Sequence, residues 1–120
     1  MRKRRGTYVA TRMVKPWLAL NRENALRLPG HLGVFQLAND AGDVLYIGCA
    51  DGRTRFGLRE AVTGTLDAQV EGASQFRTES TMAYHSRVRE LLQIHLNDFG
   101  SLPGTNTGLD ASRLGRIRPG

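Results

Sequence analysis

The chain of 120 residues has one cysteine, no long apolar run and fewer acidic than basic residues. The single cysteine, Cys49, excludes an intramolecular disulfide and argues against a cysteine-based metal site. No apolar run reaches the roughly 20 residues that a membrane-spanning helix needs, and the basic start is not followed by a signal-type apolar core. We therefore expect a cytoplasmic protein with no membrane partner.

Positive charge is concentrated at the two ends of the chain, and the formal net charge is +6. Residues 1–30 hold eight Lys or Arg and one acid, residues 31–74 three Arg and six acids, and residues 75–120 six Arg and four acids. A basic surplus favours nucleic acid as a partner. The N-terminal arm is predicted to bind phosphates without sequence preference, with solubility as the open alternative. Its basic residues are Arg2, Lys3, Arg4 and Arg5.

The stretch from Gly33 to Gly48 predicts a β-hairpin. Two apolar runs, 34–37 and 44–47, flank a turn at 39–43 that is composed of Asn, Asp, Ala and Gly. Those residue types tolerate turn geometry, including positive φ. The rings of Phe35 and Tyr46, on neighbouring antiparallel strands, can lie on one face and support each other.

The remaining pattern predicts one domain with basic extensions. Residues 1–31 form a basic arm and a lead-in helix capped by Asn21, 32–100 the domain, and 101–120 a flexible basic tail. Within the domain we expect a short helix over 56–62, a loop with a brief helical turn over 63–74, a third strand over 75–81 and a core helix over 82–99. The lead-in is expected to pack on the domain through its apolar residues, which are Val9, Met13, Val14, Trp17 and Leu18.

The triplets Gly33-Val34-Phe35 and Tyr46-Ile47-Gly48, in that order, resemble the opening signature of the GIY-YIG nuclease domain. The run that begins at Glu90 and ends at His95 is similar to the glutamate and the apolar-Ile-basic pattern of that family. The resemblance covers residues 32–99. It implies an α/β (α+β) fold, a small three-stranded antiparallel sheet flanked by helices.

The resemblance also implies a metal-dependent endonuclease that hydrolyses DNA. Tyr46 would lie near the attacking water, Arg59 or Arg55 would bind the scissile phosphate, and Glu90 would hold one Mg²⁺ or Mn²⁺. Phe35 stands where the family usually has a second catalytic tyrosine. The family commonly has a downstream asparagine, for which Asn97 and Asn106 are both candidates.

The chemistry of phosphodiester hydrolysis is consistent with these residue types. One carboxylate suffices for Mg²⁺ when waters and a substrate phosphate complete the octahedron, and the planar fork of arginine can bind two phosphate oxygens. Two other functions stay open: a non-catalytic nucleic-acid-binding module, and a structural or interaction domain. In either, Glu90 is a helix-surface carboxylate paired with Arg87.

Overall fold

The structure is a computed structural model that describes residues 12–109, with side chains described for residues 12–106. The predictions for the N-terminal arm, for Val9 and for residues 110–120 lie outside this range. The elements in chain order are β1 (Leu18–Ala19), α1 (Arg22–Leu26), β2 (Gly33–Ala38), β3 (Val44–Ala50), α2 (Gly57–Ala68), β4 (Gln75–Ser80), α3 (Tyr84–Phe99) and α4 (Gly104–Leu109). No helix within the described residues is long and apolar enough to cross a membrane.

The strands form one antiparallel sheet in the order β1-β4-β2-β3. The α/β class is confirmed, but the sheet has four strands where three were expected. The additional strand is short, because only Leu18 and Ala19 of the lead-in pair with β4. A bulge between Leu37 and Ala38 lets Tyr46 pair with Leu37 while Val44 pairs with Ala38, so that Leu45 is the extra residue.

The β2–β3 hairpin is closed by the side chain of Asn39. Its Oδ1 accepts hydrogen bonds from the backbone N–H groups of Ala41 and Asp43, at 3.0 and 2.9 Å. Gly42 supplies the positive φ of +88° that the turn requires. The turn chemistry expected from the sequence is therefore what joins these strands.

Helices cover both faces of the sheet. Helices α1 and α2 pack on the face that carries Phe35, Leu37 and Phe76, and α3 packs on the face that carries Val34 and Ile47. The alternation of side chains along β2 and β3 sends successive residues to opposite cores. Tyr46 therefore belongs to the α1/α2 face, with Phe35.

The glycines that begin and end the hairpin are required by packing. A Cβ on Gly33 would lie 2.2 Å from the carbonyl oxygen of Glu79 on β4, the neighbouring strand, where Gly33 pairs with Ser80. A Cβ on Gly48 would lie 2.7 Å from ring carbons of both Phe35 and Tyr46. The absent side chain at Gly48 makes room for the two rings, which is a known use of glycine in strands.

Helix α2 is longer than predicted, since it continues through residues 63–68 that were expected to form a loop. Thr63, Gly64 and Thr65 are weak helix formers. Leu58, Val62 and Thr65 are nevertheless buried on one side of α2, and the Thr65 hydroxyl donates to the carbonyl of Val62 at 2.6 Å. Burial of that face outweighs local propensity, which is a modest term per residue.

The domain also extends beyond residue 100, where a flexible tail was expected. Leu102 packs on the α3-side core, Pro103 is fully buried, and Asn106 is 1% exposed. Gly100 ends α3 in a left-handed conformation, so the helix stops after residue 99, where the predicted core helix also ends. Residues 101–106 then return to the edge of β3, where α4 packs.

The lead-in passes around the outer side of β4 and contacts both faces. Met13 is buried in the α3-side core and Arg12 forms a salt bridge to Asp98, whereas Leu20 packs on the α1/α2 side. Trp17 lies 4.0 Å from the guanidinium of Arg77, in cation–π geometry. The prediction that the lead-in packs on the domain holds for Met13 and Trp17. It is wrong for Val14, which is 82% exposed, and Leu18 is half-exposed at the sheet edge.

Candidate functional site

An open depression lies between the sheet and α2, on the α1/α2 face. Phe35 and Tyr46 contribute neighbouring rings with centroids 5.8 Å apart and planes tilted by 49°. The side of α2 that faces these rings carries small residues, among them Ala61, Gly64 and Ala68. Small side chains at this helical spacing leave a depression beside Tyr46, which is half-buried, whereas Phe35 is 3% exposed and belongs to the core.

The loop after β3 forms the polar rim of this depression. Asp51 accepts hydrogen bonds from the backbone N–H of Arg53 at 2.9 Å and from its guanidinium at 3.2 Å. Thr54 donates its hydroxyl to the Asp51 carbonyl at 2.8 Å. The bond from the Arg53 backbone N–H is the main cause that lowers the pKa of Asp51 below its usual value. Arg53 remains 85% exposed, so its charge faces solvent at the rim.

Two contacts hold this rim and the Tyr46 strand in place from the other side of the domain. The Tyr84 hydroxyl of α3 accepts a hydrogen bond from the Gly52 N–H at 3.2 Å. The Asn106 side chain accepts from the Ile47 N–H at 2.8 Å and donates to the Ile47 carbonyl at 3.0 Å. Asn106 thus occupies the hydrogen-bonding position of a further strand beside β3. Of the two candidate asparagines, Asn106 is the buried one.

The two candidate arginines are placed differently from each other, and neither lines the depression that holds Tyr46. Arg59 is half-buried and donates its Nε–H to the carbonyl of Leu28 at 2.9 Å, which joins α2 to the end of α1. The Arg55 side chain is exposed, and within residues 12–106 it forms no hydrogen bond or ion pair. Its backbone N–H donates to the Glu60 carboxylate at 2.9 Å.

Glu90 lies with α3 on the opposite face of the sheet from Tyr46. Its carboxylate accepts a hydrogen bond from Arg87 at 3.2 Å, and Arg87 also binds both carboxylate oxygens of Glu79 on β4, at 2.8 and 3.1 Å. The Arg87 side chain is only 11% exposed. The pairing of Glu90 with Arg87, the alternative considered from the sequence, is therefore present, and it adds a β4 partner that the sequence pattern did not indicate.

The structure thus brings Phe35 and Tyr46 together and places Arg55, Arg59 and Glu90 outside their depression. Sequence reasoning did not identify Arg53 and Thr54 as rim residues. The Asp51-Gly52 pair indicated a turn at this point, and a turn directly after the Tyr46 strand was the available signal.

The surroundings of Glu90 do not suit a divalent cation. The Arg87 guanidinium already occupies one side of the carboxylate, and a second cation there would be repelled. Within residues 12–106, no three His, Cys, Asp or Glu side chains come together in a group that could hold a metal ion.

Comparison with protein families matched residues 11–98 to "Domain of unknown function (DUF7508)". Neither the curated proteins nor the solved structures gave a match. What the chain does must therefore be inferred from its own geometry.

Proposed function

The chain belongs to the DUF7508 family of domains, and we propose that it is a nucleic-acid-binding domain of GIY-YIG-like design that binds without hydrolysing. The observation that carries this proposal is the open depression beside the half-buried Tyr46, with the exposed Arg53 guanidinium on its rim. Aromatic faces and arginine are the two side-chain types that contact bases and phosphates in non-specific recognition.

The net charge of +6 supports a polyanionic partner, and the rim supplies a local cation. Arg53 forms an ion pair with Asp51, but the guanidinium is exposed to solvent and the pair is therefore weak. A phosphate oxygen can compete for the guanidinium because Asp51 keeps its backbone hydrogen bond to Arg53 when the side chain leaves. The rim would then hold a phosphate beside the Tyr46 ring.

Binding is favoured over hydrolysis because the carboxylate that the resemblance assigned to the metal is on the other face of the sheet. Glu90 is held by Arg87, and Arg87 is held by Glu79. Moving Glu90 toward Tyr46 would leave the largely buried Arg87 with one partner fewer, which is costly for a desolvated charge.

The binding proposal is tested by the affinity of the full chain for labelled single-stranded and duplex DNA as a function of salt. Arg53→Gln should weaken binding and reduce the slope of log K against log salt by about 0.9 for duplex, or about 0.7 for single strands, if one phosphate contact is lost. Arg89→Gln, an exposed arginine on α3, is the matched control. Equal slopes for the two variants would overturn the role of the rim.

The arm is tested in the same assay. Removing residues 1–5, and with them Arg2, Lys3, Arg4 and Arg5, should lower the salt slope further if the arm adds phosphate contacts. An unchanged slope would assign all phosphate contacts to the remaining chain.

Hydrolysis with Mg²⁺ or Mn²⁺ is the second candidate, and the observation that favours it is the position of Tyr46 in an open depression beside Asp51 and Arg53. The test is incubation of single-stranded, duplex and branched DNA with either ion. Cleavage that Tyr46→Phe and Glu90→Gln both abolish would replace the binding proposal. With no cleavage by the wild type or by Phe35→Tyr, binding remains the better conclusion.

A further inference from the structure

A second shallow depression lies beside the first, between α1 and α2, and its lining combines two apolar side chains with polar and charged ones. Leu26 and Phe56 line it and are exposed by 53% and 51%. The polar residues that line the same depression are Arg59, Glu60, Thr63 and Asp67. An exposed aromatic ring next to an exposed leucine offers an apolar surface on which a ligand can pack.

The exposure of Phe56 is fixed by its backbone. The next residue, Gly57, has φ +56°, and a Cβ there would lie 2.3 Å from the His31 carbonyl oxygen. Leu58 donates its N–H to that same carbonyl at 2.8 Å, and Glu60 accepts from the Phe56 N–H at 3.1 Å. Hydrogen bonds therefore fix the backbone at Phe56 and just after it, and the Phe56 ring stays on the surface at the start of α2.

Charged residues of both signs flank this ring. The carboxylates are already engaged, because Glu60 accepts from the backbone N–H groups at the start of α2 and Asp67 forms an ion pair with Arg22. The preceding residue, Arg55, has a side chain that forms no hydrogen bond or ion pair within the described residues. Arg59 uses its Nε–H for Leu28 and lines the depression. The Thr63 hydroxyl, among the described side chains, is a buried polar group without a hydrogen-bond partner. A rotation of its side chain would offer this hydroxyl to a ligand.

The two depressions meet at Gly64. This residue lines both of them, and a Cβ built on it would touch nothing within 4 Å. No side chain at this position separates the Tyr46 depression from the Phe56 depression. A phosphate at the Arg53 rim and its neighbouring base can therefore occupy adjoining sites along one side of α2.

We propose that the Phe56 depression binds an unstacked base of single-stranded nucleic acid, next to the phosphate held at the Arg53 rim. The proposal rests on the function proposed above and specifies its substrate class. A base inside a duplex keeps its faces stacked on its neighbours, so a ring fixed on the surface can stack only on an unpaired base. Flanking arginines strengthen such stacking on a polyanion.

The test compares Phe56→Ala with Phe99→Ala in the full chain, using a short labelled oligothymidylate and a duplex of the same length. Phe99 is the matched control because it is 68% exposed and lies at the end of α3. Phe56→Ala should weaken single-strand binding by roughly 5- to 150-fold, the range for loss of one stacked base, and should leave duplex binding within about twofold. Phe56→Trp should retain single-strand affinity.

Three outcomes would overturn the base site. Unchanged single-strand affinity in Phe56→Ala is the first, and an equal loss for single strand and duplex is the second. The third is a Phe56→Ala variant that changes the sedimentation coefficient of the protein but not its affinity for DNA, which would assign this surface to contact between two copies of the chain. Phe56→Leu, which keeps the apolar volume without a ring, should lose the same affinity and guards against a folding defect in Phe56→Ala.

The failure of this inference is distinguishable from the failure of the proposed function. If Arg53→Gln changes the salt slope and Phe56→Ala changes nothing, the rim binds phosphate and the base site is wrong. If neither variant alters binding to either DNA, the proposed function itself is wrong.

Discussion

Replacing Asn106 by Ala should destabilise the protein strongly. The Asn106 side chain is 1% exposed and forms two hydrogen bonds to the backbone of Ile47, one to its N–H and one to its carbonyl. Each buried backbone group left without a partner costs about 1–3 kcal/mol, so the loss of both partners should lower the free energy of unfolding by about 2–6 kcal/mol. For a domain of this size that corresponds to a fall in Tm of roughly 10–20 °C.

The assay is urea unfolding followed by circular dichroism, supported by calorimetry. Asn97→Ala is the control, because Asn97 is exposed on α3 and its side chain accepts one hydrogen bond from Gln93. We expect the control to change the free energy of unfolding by less than about 0.5 kcal/mol. Equal unfolding midpoints for the two variants would refute the conclusion that Asn106 holds the edge of β3. A changed m-value would mean that the variant alters the compactness of one state, and the comparison would then use calorimetry alone.

Gly48→Ala should lower the free energy of unfolding by about 1–3 kcal/mol, because its Cβ would clash with the rings of Phe35 and Tyr46. Gly64→Ala should raise it by up to about 1 kcal/mol, because the new Cβ meets no atom and alanine favours helix. Equal shifts of Tm in thermal unfolding would refute this difference between the two sites. Arg87→Ala should lower stability by more than about 1 kcal/mol because it leaves two half-buried carboxylates without their cation, and the exposed Arg89→Ala should not. Asp51 has a lowered folded-state pKa, so its stabilising contribution is present above the unfolded value near 3.8 and is lost as the pH falls through the folded one. Asp51→Asn should therefore flatten the acid limb of the stability curve, and an unchanged limb would contradict the assignment.

The hairpin, β4, α1 and α3 could be predicted because local chemistry and core packing agree there. Asn39 and Gly42 suit the turn, and the side chain of Asn21 caps α1 by accepting from the Asn24 N–H at 2.8 Å. Along α3 the apolar spacing identified Leu91 and Leu92, which are buried. In each of these elements the residues that signal the structure are also those that stabilise it.

The remaining elements depend on partners that are distant in the chain. The continuation of α2 past Val62 is decided by packing on β2 and β3, and the β1 pairing by β4. The return of residues 101–106 is fixed by Asn106, whose partner lies 59 residues earlier. The spacing of apolar residues along the chain did not indicate these contacts, because each one joins segments that are far apart in the sequence.

The candidate site was predicted in part for the same reason. Phe35 and Tyr46 are cross-strand neighbours in a hairpin, so their proximity follows from local pairing. The direction of Glu90 depends instead on which residues of β4 face α3, and the presence of Glu79 there places Arg87 between the two carboxylates. A helical stripe predicts which side of a helix is buried, but not which strand supplies a counter-ion.

The path of the lead-in around β4 has a consequence for the order in which the protein folds. Met13 docks in a core that includes Leu91, and the Arg12–Asp98 contact spans 86 residues, so this docking surface is incomplete until α3 has been synthesised. The entropy of closing so long a loop must be overcome before the contact returns any stabilisation. The hairpin can form from neighbouring residues, whereas the contacts between the lead-in and α3 can form during synthesis only after residues up to 98 have been made.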